Sequence, residues 1–266
     1  MKDITILVPL TEPSVGMSDI QTNYMNECIN NINNCEQYYD GKLLMKFIFP
    51  EKDSSYDSTI SNDPEIEYLH NYGETDYCSQ INFGVEHVET EYFAIMEMDD
   101  QFNPKWFKMF NEYLNTKEDV SIFLPINVVK NNKNGELEFV NELIWAASFS
   151  NEIGYIDFDC LEHSASFNLT GGIFKTSDWL KYKPSIQVSF NYEYLLRATY
   201  KNQKVFVIPK EGYYHGIFGE NSLSEKYLNE ISDEDTQKWF ELAKRVYIYD
   251  DDKNCNIIDN KVETLS

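Results

Sequence analysis

The chain has 266 residues, 22 of them basic and 45 acidic, for a formal charge of −23. Such a chain repels phosphate backbones and anionic lipid surfaces, which excludes nucleic acid as the expected partner. Hydrophobic residues make up 42% and aromatic residues 15%, enough for a sizeable core and too much for a disordered chain.

The elements follow in chain order. "DITILVPL" (3–10) is β-branched, apolar and stopped by a proline, which predicts a buried strand. Its apolar run of about six residues is too short for a signal peptide or a membrane span, so a soluble cytoplasmic protein is expected. "TEPSVGMSD" (11–19) reads as a loop. Residues 19–35 space Ile20, Tyr24, Cys28, Ile32 and Cys35 as an amphipathic helix, and "KLLMKFIF" (42–49) follows as a second strand. Strand, helix and strand with such buried runs favour a parallel α/β sheet. "EIEYLHN" (65–71) is a candidate third strand. A helix over 76–88 is expected with Thr75 as its N-cap, then a strand over 91–98 and a helix after Pro104. "DVSIFLPINVV" (119–129) predicts a strand and Asn134-Gly135 a hairpin turn. Residues 190–202 predict a helix, 204–210 a strand, 211–222 a loop, and 233–247 a last helix before a polar tail.

The five cysteines (Cys28, Cys35, Cys78, Cys160 and Cys255) include no CxxC and fit no zinc template. They read as free thiols in a reducing compartment. An acidic protein that handles a phosphorylated ligand is expected to do so through a divalent cation.

The strand "EYFAIMEM" runs directly into Glu97, Asp99 and Asp100. Open α/β sheets bind ligands beyond the carboxyl ends of their strands. Carboxylates crowded there repel one another, and a bound Mg²⁺ or Mn²⁺ relieves that repulsion through oxygen ligation. The competing reading is a solvated acidic turn.

Residues 82–100, "NFGVEHVETEYFAIMEMDD", resemble the central stretch of family 2 glycosyltransferases with a GT-A fold. Asn82, Gly84, Glu91, Tyr92, Asp99 and Asp100 fall in that family's pattern without a gap, with Glu97 in place of the first residue of its Asp-x-Asp motif. The resemblance extends to "ITILVPLTEP", "FIFPEKDSSYD", "LTGGIFKTSDWL", "FNYEYLLRATYKNQKVFVIPK" and "GYYHGIFGENS". It implies an α/β fold of GT-A type, with a mixed, mainly parallel sheet flanked by helices. It implies donor contacts from Pro9, Glu12, Asp53, Asn82, Glu97, Gly171 and Gly172, and a Mn²⁺ or Mg²⁺ site from Glu97, Asp99, Asp100 and His215. Gly171 and Gly172 equally fit an unusual turn.

The family's late helix opens with Glu-Asp and supplies the catalytic base, but Phe190 and Asn191 stand there in this chain. Glu193 is the candidate base, or else the i, i+4 partner of Arg197. The implied activity moves a sugar from a nucleotide-diphosphate sugar, with UDP-sugars favoured, to a glycan or other hydroxyl acceptor, inverting the anomeric centre. The alternatives are a catalytically degenerate GT-A domain that binds sugar nucleotide or glycan, and a nucleotidyltransferase. The latter would want a basic glycine-rich loop, and residues 11–19 carry no Lys or Arg. Trp145, Tyr155, Trp179 and Tyr192 are either sugar-stacking or core residues. The expected division is a nucleotide-sugar half (1–100), an acceptor and catalytic half (101–216), and a C-terminal helical extension with a polar tail (217–266).

Overall fold

The computed structural model describes residues 2–10, 19–50, 65–74, 76–131, 137–139, 150, 152–163, 167–183, 190–217, 257–258 and 261–262. The first strand, β1 (Ile4–Pro9), is buried along its whole length because both faces are covered. Side chains alternate along it. Ile4, Ile6 and Val8 join one core layer and Leu7 the other. Helices α1 (Asp19–Glu36) and α3 (Trp106–Leu114) cover the first layer. Helices α2 (Tyr77–Glu86), α4 (Phe158–His163) and α5 (Phe190–Tyr200) cover the second.

The remaining strands of the main sheet are β2 (Leu43–Pro50), β3 (Ile66–Asn71), β4 (Tyr92–Ile95), β5 (Gln101–Phe102), β6 (Val120–Asn131), β7 (Leu137–Phe139), β8 (Tyr155–Ile156), β9 (Ile173–Lys175) and β10 (Lys204–Ile217). The order β3-β2-β1-β4-β9-β6-β10-β5 makes one sheet through both halves of the chain. Strands β1 to β4 pair in parallel, as do β6 and β10. Strand β9 joins these two groups antiparallel to both β4 and β6. The fold is therefore the mixed, mainly parallel α/β sheet that the sequence implies.

Some local expectations change. The N-cap of α2 is Asp76, whose carboxylate accepts from Ser79 N–H at 3.1 Å; Thr75 lies outside the described residues. Gly84 has a packing reason, since a Cβ there would collide with Ile48 of β2. Residues 211–217, expected as a loop, continue β10. Register shifts around Glu211 absorb the polar break and let the strand keep pairing with β6. In the tail, β11 (Ile257–Ile258) and β12 (Lys261–Val262) pair as a two-stranded hairpin. The helix expected over 233–247 lies outside the described residues, as does Cys255. The other four cysteines are buried free thiols. Among the described residues, no helix is long and apolar enough to cross a membrane.

Candidate active site

Strand β4 lies beside β1 in the sheet, and the chain leaves it at Ile95. Met96 N–H still donates to Leu7 O at 3.0 Å. Glu97 N–H donates to the Tyr213 hydroxyl at 2.9 Å, and Asp100 N–H donates to Glu97 O at 3.1 Å. That turn folds residues 97–100 back, and the chain re-enters the sheet as β5, antiparallel to β10. Asn31 of α1 fixes the re-entry point, donating to Phe102 O at 3.0 Å and accepting from Phe102 N–H at 2.9 Å.

The turn and β10 meet at His215, whose Nδ1 lies 2.8 Å from Asp100 Oδ2. Glu97, Asp100 and His215 each offer one ligand atom, all within 4.8 Å of one another. Thr170 Oγ lies 3.2 Å from Glu97 Oε1 and 2.7 Å from Asn168 Oδ1. The Asn168 amide reaches His215 Nε2 in turn. Burial, followed by the nearby Glu97 charge, raises the Tyr77 phenol, at the start of α2, well above its ordinary value.

The electrostatics follow from crowding. Burial first, and Asp100 second, raise the Glu97 carboxyl to about 7, against a smaller opposing pull from His215. Burial and Asp100 likewise raise Asp99 to about 6. Burial pushes His215 down, but the hydrogen bond and charge of Asp100, followed by Glu97 and Asp99, outweigh it and raise the ring to about 9. Among the described residues, three carboxyls thus share one imidazole, a set short of positive charge.

The structure brings together Glu97, Asp100 and His215 from the predicted set. Asp99 stands beside this trio without joining it, half-buried and close enough to Tyr24 of α1 to raise that phenol. Gly171 has φ +80° and donates to Ile95 O at 2.8 Å; a Cβ on it would strike the Tyr213 ring. A Cβ on Gly172 would lie 2.9 Å from Leu124 Cδ2 and Leu169 O. Both glycines therefore satisfy the turn-and-packing alternative. Asn82 donates to Tyr182 O and accepts from Tyr182 N–H, both at 2.8 Å, so both ends of its amide hold backbone. Pro9 closes β1 opposite Ile48. Glu12 and Asp53 lie outside the described residues.

Glu193 sits in an ion-pair network. It is 3% exposed and bound by both Arg197, at 2.8 and 3.0 Å, and Lys183, at 3.0 Å. Burial pushes its carboxyl up, but Arg197 and then Lys183 outweigh burial and hold it below the usual carboxylate range. A carboxylate held ionised by two cations is a poor proton acceptor, so the geometry fits the ion-pair alternative. Asn191, at the family's base position, lies 3.3 Å from the Tyr182 hydroxyl through Oδ1.

The aromatic candidates are packed. Trp179 sits among Phe93, Phe174, Tyr182 and Tyr194. Tyr192 is buried and donates to Leu161 O at 2.7 Å. Tyr155 packs on Phe206, and Trp145 lies outside the described residues. Sequence reasoning missed Asn168, Thr170, Tyr77 and Tyr213. The first two flank Leu169 just before the glycine pair, and their hydrogen-bonding side chains in that otherwise apolar run were the available signal.

Residues 53–170 match the family model described as Glycosyl transferase family 2. That stretch includes Asn82, the turn at 97–100, Asn168 and Thr170, and it stops before His215. The match spans less than half of the chain, and together with the mixed α/β sheet it makes this chain similar to family 2 glycosyltransferases of the GT-A fold. Its fold is similar to that of S. aureus TarS 1–349 in complex with UDP-GlcNAc, with a TM-score of 0.63 at 14% identity, covering 95% of this chain and 67% of that one. It is also similar to the same TarS fragment in complex with UDP, with a TM-score of 0.60 at 13% identity, covering 93% and 67%. Against a longer S. aureus TarS chain the TM-score is 0.58 at 13% identity, covering 97% of this chain and 46% of TarS. None of the curated proteins matches it in sequence.

Proposed function

We propose that this chain is a glycosyltransferase that moves a sugar from a nucleotide-diphosphate sugar, with a UDP-sugar favoured, to an acceptor hydroxyl. The observation that carries the reading is the convergence of Glu97, Asp100 and His215 where β4 leaves the parallel part of the sheet. Two carboxylates and an imidazole are a donor set that suits Mn²⁺, with Mg²⁺ the alternative. The raised carboxyls fit this reading, since a cation would supply the positive charge the site lacks. A divalent cation held there neutralises charge on a departing diphosphate.

This chain's residues have distinct parts in the proposal. Glu97, Asp100 and His215 are the ligands. Thr170 and Asn168 orient Glu97 and His215 through the hydrogen bonds described above. Asp99, on the rim, faces the incoming donor. The half of the chain after residue 100 receives the acceptor, whose hydroxyl attacks the anomeric carbon opposite the leaving diphosphate and inverts it. Glu193 anchors α5 rather than taking the proton. The UDP-GlcNAc and UDP complexes of TarS support the donor class.

The test is UDP release from a panel of UDP-sugars, with and without EDTA, by wild type and Asp100→Asn. Release should require Mn²⁺ or Mg²⁺ and fall at least ~10²-fold in the variant, as when a group stabilising transition-state charge is removed. Undiminished release in EDTA would overturn the proposal.

A further inference from the structure

Tyr213 is fully buried beneath the site, and its connections differ from those of an ordinary core tyrosine. Its hydroxyl accepts the Glu97 backbone N–H at 2.9 Å. The Asp100 carboxylate lies close enough for its charge, after burial, to raise the phenol. One phenol oxygen therefore holds the backbone of the first ligand residue, beside the side chain of the second. The third ligand, His215, lies two residues further along β10 and so on the same face of the strand. Its ring meets the Tyr213 ring edge-on, with centroids 5.2 Å apart.

The surroundings keep the phenol in this one place. Phe102 packs edge-on against it, with centroids 5.0 Å apart. Gly171 lies over the ring at a φ of +80°, where any Cβ would collide with Tyr213. The glycine that the sequence offers as a donor contact thus makes room for the tyrosine.

We propose that Tyr213 is the positioning residue of the cation site. Its hydroxyl fixes the Glu97 backbone beside Asp100, and its ring seats His215. The inference rests on the metal-holding reading given under Proposed function. Outer partners of this kind typically change metal affinity about 10–100-fold when removed.

The test is Tyr213→Phe, which keeps the ring and removes only the oxygen. Mn²⁺ alone is titrated into wild type, Tyr213→Phe and Tyr214→Phe, with free Mn²⁺ read by its electron paramagnetic resonance signal. Tyr214 is the control, because its hydroxyl accepts from the Asn103 side chain at 3.0 Å, away from the ligands. Sucrose in all samples favours the folded state, and far-ultraviolet circular dichroism checks it. The expected result is a Mn²⁺ Kd about 10–100-fold weaker in Tyr213→Phe and unchanged in Tyr214→Phe. An unchanged Kd in Tyr213→Phe, whatever its melting temperature, would make the residue merely structural and overturn the inference alone. Wild type that binds no Mn²⁺ would overturn the metal site and the inference with it.

Discussion

Glu97, half-buried, and Glu193, buried, are both carboxylates drawn back from solvent, yet their surroundings are opposite. Glu193 has Arg197 and Lys183 against it, and its carboxyl is held below the usual range. Among the described residues, Glu97 has Asp100 and Asp99 against it, with His215 and then Thr170 to offset them, and it rises to about 7. The first arrangement is complete within the protein and fastens α5 to the segment around Lys181 and Lys183; Arg197 also donates to Lys181 O at 2.9 Å. The second is incomplete and calls for a cation from outside. Burial alone does not separate a structural carboxylate from a functional one; the local balance of charge does.

The largest expected effect comes from breaking the complete site. Glu193→Gln keeps the shape and strands two partly buried cations, so it should cost about 3–5 kcal/mol of stability in urea unfolding. Its Mn²⁺ affinity and its turnover per folded molecule should stay near wild type; turnover lost without lost stability would return Glu193 to the role of base. Next comes the incomplete site. Asp100→Asn should reduce turnover by at least ~10²-fold while leaving the fold intact, read by steady-state kinetics beside a thermal melt. Asn82→Ala tests whether a residue of the family pattern acts by holding backbone. It should cost about 1–3 kcal/mol by leaving the Tyr182 peptide groups unpaired, with donor affinity unchanged in folded protein.

The smallest effect sharpens the contrast through pH. Glu97 and Asp99 are raised to about 7 and about 6 and His215 to about 9, so the metal-free folded chain binds more protons than the unfolded one. The stability this contributes is present below the unfolded values of the groups. It is lost as pH rises through about 6 to 7 for the carboxyls and about 9 for the imidazole. Mn²⁺ must displace the protons of its ligands Glu97 and His215, so its affinity should be at least ~10-fold weaker at pH 5.5 than at pH 8. Calorimetric titration at the two pH values reads this directly, and equal affinities would mean that these groups do not hold the ion.

Much of this was legible in the sequence where the signal is local. The wholly buried β1, the face of α1 and the run into Glu97, Asp99 and Asp100 all follow from neighbouring residues. The i, i+4 pairing of Glu193 with Arg197 was legible for the same reason; the second cation, Lys183, arrives from another segment and was not. Asn82 fits the family pattern, but its partner is 100 residues away and is backbone, which no side-chain pattern announces. His215 came from resemblance alone. Its place on a strand was hidden because Lys210, Glu211 and Gly212 look like a strand end, whereas the sheet absorbs them as register shifts. Strand β9 has three residues between a glycine pair and a 3₁₀ turn, too few to show a period.

The central claim is that Glu97, Asp100 and His215 hold a divalent cation that serves a nucleotide diphosphate. Thermal unfolding of wild type and Asp100→Asn with Mn²⁺, UDP, and both together tests it most directly. A ligand that binds only the folded state adds about 2.7 kcal/mol of stability at a hundredfold excess over Kd. The account predicts a rise in melting temperature for wild type that needs Mn²⁺, grows with UDP and is lost in Asp100→Asn. A wild-type melting temperature unmoved by Mn²⁺, with or without UDP, would contradict it.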